Sequence, residues 1–309
     1  MRIGGNLGAL RAFVRANEGK VQKRWQGHNA RGFDALTDAD LRHALRWGDL
    51  PDEAYARIAD EDTRFVRREL QAAWLSGIKQ GGQSATAGIR RASKAWADAW
   101  EYVPTSRYVD DWIRRRTGAL ITQWGRARKG ALRQVISHAI RGYPLRTGEQ
   151  PSAYYIGEII KAAFGLTEYQ AGWVTSFNDK LYQALLTDPK TSGLPPSKLN
   201  AIVEKKTRLY EYSMTQMRAQ TIARTETAAA FNAGQQAAVS EAASEQMFGQ
   251  GVKVFKVWTA ASDCCDLCQE LDGTKVGIDE GFGAHGAGGA DGDPPLHPNC
   301  RCTVFYETE

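Results

Sequence analysis

The feature that most constrains this 309-residue sequence is the position of its five cysteines, which all lie between residues 264 and 302. Alternating apolar and polar residues at 252–260 and 303–307 predict one strand on each side of this segment. A lobe this small, with a glycine-rich stretch inside it, buries little apolar surface on folding. We therefore expect a bound ion to stabilise it.

Two residue pairs within this segment have the spacing of a tetrahedral zinc site, a C-x2-C pair and an H-x2-C pair. The favoured metal ligands are Cys265, Cys268, His297 and Cys300. Cys264 could replace Cys265, and Cys302 could replace Cys300, so the ligand set stays open at this point. Free thiols with a packed histidine, and disulfides, are the alternatives to zinc.

The zinc is expected to be structural, because the sequence lacks the motifs of a catalytic site. H-E-x-x-H is absent, the C-x2-C pair lacks the proline and histidine-glutamate context of a deaminase, and no Walker or G-x-S-x-G motif occurs. No catalytic residue is therefore predicted. The alternative of a zinc-dependent hydrolase or toxin-like effector would need Glu270 or Asp272 as its acid or base.

The rest of the chain predicts a mainly α fold, an elongated helical body with a small C-terminal α+β lobe. Helical periodicity is long at 52–79 and 199–245, a loop is expected at 80–88, and a short helix at Trp96 and Trp100. The predicted domains are a flexible basic arm at 1–35, an N-terminal helical region at 36–103, a helical body at 104–248 and the zinc lobe at 249–309. No apolar run is long enough to span a membrane.

Positive charge is concentrated in the first half of the chain. Residues 1–150 carry 27 Lys/Arg and 16 Asp/Glu, whereas residues 151–309 carry 13 and 19. This asymmetry suggests contact with DNA or an acidic partner, although a solvated helix surface explains it equally well. The candidate contact residues are Arg114, Arg115, Arg116, Arg126, Arg128 and Lys129.

Three further residues are expected to hold the helical body and the lobe in place. Arg224 is predicted to anchor its helix through Asp263 or Asp272, and Arg301 to pair with Asp263. Asn232, on the same alanine-rich helix as Arg224, is expected to form only local hydrogen bonds.

Three stretches of the sequence, in order, resemble the head morphogenesis proteins of tailed bacteriophages, the minor capsid proteins of the phage Mu protein F type. They are "IARTETAAAFNAG" at 222–234, "VWTAASDCCDLCQELDG" at 257–273 and "PPLHPNCRCTV" at 294–304. The resemblance covers roughly residues 105–306. The doubled cysteine at 264–265 and the glycine-rich insertion at 281–292 depart from the family pattern, and we expect the insertion to depend on the metal or a neighbour for its order.

The resemblance implies a virion or procapsid component that is made in the host cytoplasm and present in few copies. Its implied partners are the phage portal protein and the major capsid or scaffold protein, with packaged DNA as a non-specific contact and no membrane. A DNA-binding protein ejected with the genome is a further alternative.

Overall fold

Helices form most of the computed structural model, which describes residues 2–4, 7–92, 102, 107–283 and 292–309. The helices are α1 (Leu7–Asp34), α2 (Asp38–Trp47), α3 (Asp52–Phe65), α4 (Gln71–Ala92), α5 (Arg107–Thr147), α6 (Ala153–Ala163), α7 (Glu168–Thr187), α8 (Pro196–Ser244) and α9 (Asp266–Glu270). One π-helical turn, Val66–Leu70, joins α3 to α4. The strands are β1 (Arg2–Gly4), β2 (Val254–Thr259), β3 (Lys275–Gly277) and β4 (Thr303–Thr308). The mainly α fold with a small C-terminal sheet is therefore confirmed.

The chain divides into two compact units, each built from separate stretches of sequence. The first unit comprises Met1–Gln22, Arg67–Gly118 and Gln220–Glu309, and the second comprises Lys23–Val66 and Ala119–Ala219. The four consecutive domains predicted from the sequence stay a prediction. The short helix predicted at Trp96 and Trp100 lies outside the described residues.

The flexible arm predicted at 1–35 is replaced by the helix α1. Its buried residues Leu10, Val14, Val21 and Trp25 recur at spacings of four, seven and four, which places them on one helical face. Leu10 and Val14 pack against Phe231 of α8 in the first unit. The glycines and basic residues between these positions conceal the periodicity, and for that reason the sequence predicts a flexible arm.

The loop predicted at 80–88 is also part of a helix, α4. Its glycines do not form a turn but allow α4 to pack closely against α8. A Cβ at Gly81 of α4 would lie 1.9 Å from the carbonyl oxygen of Phe231 in α8. A Cβ at Gly234 of α8 would lie 2.0 Å from the carbonyl oxygen of Ile78 in α4. Since no side chain fits at either position, glycine is what allows the two backbones to touch.

The sheet of the first unit is antiparallel and has the strand order β1-β4-β2-β3. β2 and β4, the two predicted strands, pair directly, with Val257 opposite Phe305. Trp258 and Tyr306 are buried and fix the face on which the sheet packs. β1 and β3, three residues each, add one strand at each edge.

The second unit has an apolar core formed by helices α2, α3, α5, α6 and α7, with Met214 of α8 at its margin. Glu211 is also buried here, with 2 % of its surface exposed, and its Oε2 has no hydrogen-bond partner among the described residues. Burial raises the pKa of Glu211 to about 8, although the charge of Arg208 opposes the shift. The folded protein therefore holds this carboxyl in its neutral form at neutral pH.

The packing of α4 against α8 predicts that Gly234→Ala is strongly destabilising. The added methyl group would lie 2.0 Å from a backbone oxygen that can move only with its helix, so we expect a loss of about 1–3 kcal/mol in the free energy of unfolding. The measurement is urea unfolding followed by far-UV circular dichroism. Gly118→Ala is the matched control, because Gly118 also lies in a helix of this unit and its Cβ would meet nothing within 4 Å. An equal stability for both variants would contradict the close approach.

The raised pKa of Glu211 predicts a pH-dependent loss of stability. Between about pH 4.5, where a glutamate of the unfolded chain titrates, and pH 8, where Glu211 titrates in the fold, the folded state binds the extra proton. Stability therefore falls as pH rises through this window.

Glu211→Gln keeps the neutral shape and should abolish that dependence. The variant should match the parent protein at the acidic end of the window and exceed it at the alkaline end by on the order of 1–3 kcal/mol. Thermal or urea unfolding across the window measures this, with the exposed Glu149→Gln as control. A parallel pH profile for Glu211→Gln and the parent would show that Glu211 is ionised in the fold.

Candidate metal centre

The C-terminal lobe brings its two predicted ligand pairs together between β2 and β4. After β2 ends at Thr259, a turn leads into α9, with Cys265 at the N-cap position and Cys268 within the helix. His297 and Cys300 lie on the segment that leads back into β4. The antiparallel pairing of β2 with β4 places the two segments at the same end of the sheet.

The ligand atoms form two groups that share Cys268, one with Cys265 and His297 and the other with Cys300 and Cys302, and the atoms within each group lie within 4.8 Å of one another. Nε2 of His297 lies 3.1 Å from Sγ of Cys265 and 3.2 Å from Sγ of Cys268. Sγ of Cys268 lies 3.8 Å from Sγ of Cys300. Two sulfurs bound tetrahedrally to one zinc at about 2.3 Å would lie about 3.8 Å apart. The cluster could therefore hold a metal ion.

The hydrogen bonding of His297 suits it to metal binding through Nε2. Its Nδ1 lies 2.8 Å from the backbone carbonyl oxygen of Pro298. When Nδ1–H donates to that oxygen, the proton is placed on Nδ1, and the Nε2 lone pair faces the two sulfurs. A second hydrogen bond of this kind is the usual support of a metal-binding histidine.

The two alternate cysteines differ in position. Sγ of Cys302 lies within 4.8 Å of the sulfurs of Cys268 and Cys300, so Cys302 is part of the cluster. The Cys264 thiol turns toward Gln269, with Sγ and Oε1 3.4 Å apart, and Cys264 belongs to neither cluster of potential ligands among the described residues. The geometry therefore favours Cys265 over Cys264 and leaves the choice between Cys300 and Cys302.

Three cysteines of the cluster are buried, and their thiols influence each other's ionisation. The Cys302 thiol, by donating to the sulfur of Cys300, holds the pKa of Cys300 well below its usual range, and backbone N–H groups of Cys302 and Leu296 assist. The same hydrogen bond, together with burial, raises the pKa of Cys302. Burial and then the charge of Cys300 raise the pKa of Cys268. A metal ion would replace the protons that these thiols otherwise keep.

Asn232 of α8 holds the ligand-bearing segment in place, which the sequence did not predict. Its side-chain amide is buried and donates to the carbonyl oxygens of Pro294 at 3.2 Å and Cys302 at 3.1 Å. Its Oδ1 accepts a hydrogen bond from the Thr303 hydroxyl at 2.7 Å. The expectation of purely local bonding for Asn232 is therefore wrong, because all three partners lie at least 62 residues away in the chain.

A second attachment to α8 follows His297. Asn299 has a φ of 65°, in the left-handed region that asparagine tolerates. Its backbone N–H donates to Thr225 at 3.0 Å, and its side-chain amide donates to Thr221, also at 3.0 Å. Since Thr221 and Thr225 lie one turn apart on α8, the helix positions the H-x2-C pair from outside the cluster. The recurrence of threonine and asparagine along α8 is the signal that could have suggested this role.

The predicted anchors form one of the expected ion pairs. Arg301 pairs with Asp263 at 2.7 Å, as the sequence predicted. Arg224 pairs instead with Glu18 of α1, also at 2.7 Å, which corrects the prediction of Asp263 or Asp272. The sequence hid this pair because α1 was not recognised as a helix.

The six candidate DNA-contact residues do not form one exposed surface, because two of them are buried. Arg116 donates to both carboxylate oxygens of Glu226, at 3.0 and 2.6 Å. Arg128 donates to Asp62 at 2.6 Å, and His28 lies 2.6 Å from the same oxygen. Both arginines therefore form buried ion pairs that stabilise the fold. This corrects the prediction that they contact DNA.

The other four candidates reach the surface of the units to which they belong. Arg114 is largely exposed and pairs with Asp111, and Lys129 lies 3.2 Å from Asp52. Arg115 and Arg126 are also exposed.

The structure gives no support to Glu270 or Asp272 as a catalytic acid or base. Asp272 accepts the backbone N–H of Ala260 at 2.8 Å, which closes the turn after β2. Glu270 is exposed at the end of α9. In the part of the chain that the structure describes, the ligand atoms of the clusters come from cysteine and histidine alone.

Comparison with known families finds a match for the C-terminal part of the chain. Residues 183–305 match the model of the family described as Phage Mu protein F like protein. The matched segment includes all of α8 and the cysteine lobe, so the resemblance seen in the sequence is confirmed for this region, and the family suggests a role in phage head morphogenesis. Searches of curated proteins and of solved structures found no match. The likeness expected for residues 105–182 stays a prediction.

The contacts of Asn232 predict that Asn232→Ala loosens the C-terminal lobe. The variant leaves the buried carbonyl groups of Pro294 and Cys302 without the Asn232 amide, while the Thr303 hydroxyl keeps Gln235 as a partner, so we expect a loss on the order of 2–3 kcal/mol. Hydrogen exchange of β2 and β4 should become faster while α6 and α7 stay protected. Asn17→Ala is the control, because Asn17 bonds only to Phe13 of its own helix. Unchanged exchange in β4 of Asn232→Ala would contradict this assignment.

Proposed function

From the Phage Mu protein F-like region at residues 183–305, we propose that this chain is a structural minor head protein of a tailed bacteriophage, in which a zinc ion closes the C-terminal lobe. The observation that carries the proposal is the pair of ligand groups that share Cys268, one with Cys265 and His297 and the other with Cys300 and Cys302, within the matched region. The zinc would be structural, and the lobe would act as a docking element during head assembly.

Zinc is the proposed ion because the donor set consists of thiolates and one imidazole. Zinc accepts both donor types in tetrahedral geometry, whereas magnesium and calcium prefer oxygen ligands. Cys300 is the preferred fourth ligand because its sulfur lies 3.8 Å from that of Cys268. Cys302 is the alternative fourth ligand, and in the preferred arrangement its thiol donates a hydrogen bond to the Cys300 thiolate. When bound, the ion would cross-link the two segments that carry the ligands, and it would catalyse no reaction.

The proposed partners are the portal protein and the major capsid or scaffold protein of the same phage, and the proposed location is the virion or procapsid. Surface aromatic residues support a role in protein contact. Tyr169 and Trp173 of α7 are 72 % and 45 % exposed, with ring centroids 4.7 Å apart. Exposed aromatic side chains of this kind are typical anchors of protein interfaces. None of the helices in the described ranges has the length and hydropathy to cross a membrane.

Non-specific contact with packaged DNA is proposed only for the four surface members of the basic set. Arg114, Arg115, Arg126 and Lys129 retain access to solvent. Such contacts to phosphate would weaken steeply with added salt. No observation favours the hydrolase or the ejected DNA-binding protein over the structural role.

The proposal predicts that Cys268→Ser loses the ion and, with it, portal binding. The parent protein should carry about one zinc per chain, because one tetrahedral site uses four of the clustered ligands. Elemental analysis measures the metal, and co-purification with the portal protein of the same phage measures docking. Cys264→Ser is the matched control, since Cys264 lies outside both ligand clusters, and it should keep both properties.

The two readouts separate the two parts of the proposal. Metal-free parent protein would contradict the zinc site. Zinc-loaded protein that fails to co-purify with the portal protein would contradict the assembly role and leave the zinc site intact. Comparison of Cys300→Ser with Cys302→Ser then identifies the fourth ligand, since only that variant should match Cys268→Ser.

A further inference from the structure

A second site lies in the first unit, next to the cysteine cluster but separate from it. It is a cleft of about 340 Å³ formed by α1, α8 and the residues that flank the ligand pairs. Asp263 precedes the first pair, and Arg301 follows Cys300, so the two cysteine segments supply one wall. None of the candidate metal ligands, Glu270, Asp272 or the basic set of α5 lines it.

Positive charge dominates this cleft. Four arginines line it, Arg11, Arg15, Arg224 and Arg301, against only two carboxylates, Glu18 and Asp263. The surplus of two positive charges favours an anionic ligand. Arginine is also the residue that best binds a carboxylate or another planar oxyanion, because its N–H groups form a rigid fork.

The internal contacts leave much of this donor capacity unused. Arg11 donates to the Ser262 hydroxyl through Nη2 at 3.1 Å. Arg224 uses Nε toward Glu18, and Arg301 uses Nη2 toward Asp263, each at 2.7 Å.

Arg15, which is exposed, forms no hydrogen bond or ion pair with the described part of the chain. Since a guanidinium group has five N–H donors, the cleft can accept further oxygen atoms.

The two carboxylates of the cleft distinguish between kinds of anion. A nucleic-acid strand carries a phosphate charge at every nucleotide, so some of its charges would lie against Glu18 and Asp263. A protein segment can place uncharged side chains beside these two residues and its carboxylates on the arginines. Leu10, Val14 and Ala228 also line the cleft, but they are at least 92 % buried within the unit and add little open apolar surface.

We propose that this cleft binds an acidic segment of a partner protein, in which carboxylates contact Arg15 and Arg224 and uncharged side chains lie beside Glu18 and Asp263. The carboxylate oxygens would accept hydrogen bonds from arginine N–H groups that the ion pairs within the chain leave available. The inference does not depend on the zinc or on the identity of the portal as a partner.

The test uses the full-length chain and a short fluorescein-labelled peptide that alternates aspartate with leucine. Fluorescence anisotropy at low ionic strength should show saturable binding of this peptide. The same peptide with asparagine in place of aspartate should bind at least about tenfold more weakly, because each charge-assisted hydrogen bond is lost. A labelled single-stranded oligonucleotide tests the nucleic-acid alternative in the same assay.

Two charge reversals locate the binding. Arg15→Glu and Arg224→Glu should each weaken peptide binding about tenfold or more. Arg114→Glu, a reversal of an exposed arginine elsewhere in the same unit, should leave binding unchanged. Because Arg15 has no internal partner in the described chain, Arg15→Glu should fold normally by circular dichroism, and this variant alone decides the case if Arg224→Glu unfolds.

Three results would overturn the proposal. One is the absence of saturable peptide binding by the parent protein. Another is peptide binding that Arg15→Glu does not change. The third is an oligonucleotide that binds in place of the peptide and is lost with Arg15→Glu, because that would assign the cleft to nucleic acid.

Discussion

The side-chain amide of Asn232 is the interaction on which the C-terminal lobe most depends. From one buried position on α8 it bonds to the backbone on both sides of the second ligand pair, at Pro294 and Cys302, and to Thr303 at the start of β4. Leaving these buried groups without hydrogen bonds would lower the stability of the fold, so the bonds fix the position of the lobe on α8. The cysteine and histidine groups lie within the lobe, whereas Asn232 bonds the lobe to α8.

Much of the fold follows from local sequence patterns, and the departures from them have a common cause. The strands β2 and β4 and the 49-residue helix α8 were predicted because their patterns are local and uninterrupted. Sequence patterns do not reveal α1 and the second half of α4, because their glycines resemble loop signals. At Gly81 and Gly234 the glycine instead permits contact between two helices, and no single-segment pattern contains that information.

The candidate site was predictable to the level of its residue types. The spacing of Cys265, Cys268, His297 and Cys300 is a property of the sequence, and the structure places His297 beside Cys265 and Cys268, and Cys300 beside Cys268. The supporting contacts from Asn232 and Asn299 were not predictable, because their partners are more than 60 residues away. The basic cluster was misjudged at Arg116 and Arg128 for the same reason, since their carboxylate partners come from distant helices.

The division of the chain into interleaved units bears on how the protein can be cut. The family match begins at residue 183, within the second unit, and ends at 305, within the first. The matched segment therefore coincides with neither compact unit. An excised fragment would lose the contacts of α1 and α4 with α8 and would expose Ala228, Ala230 and Phe231, which favours aggregation. The boundaries of the family match and the boundaries of the compact units therefore differ in this chain.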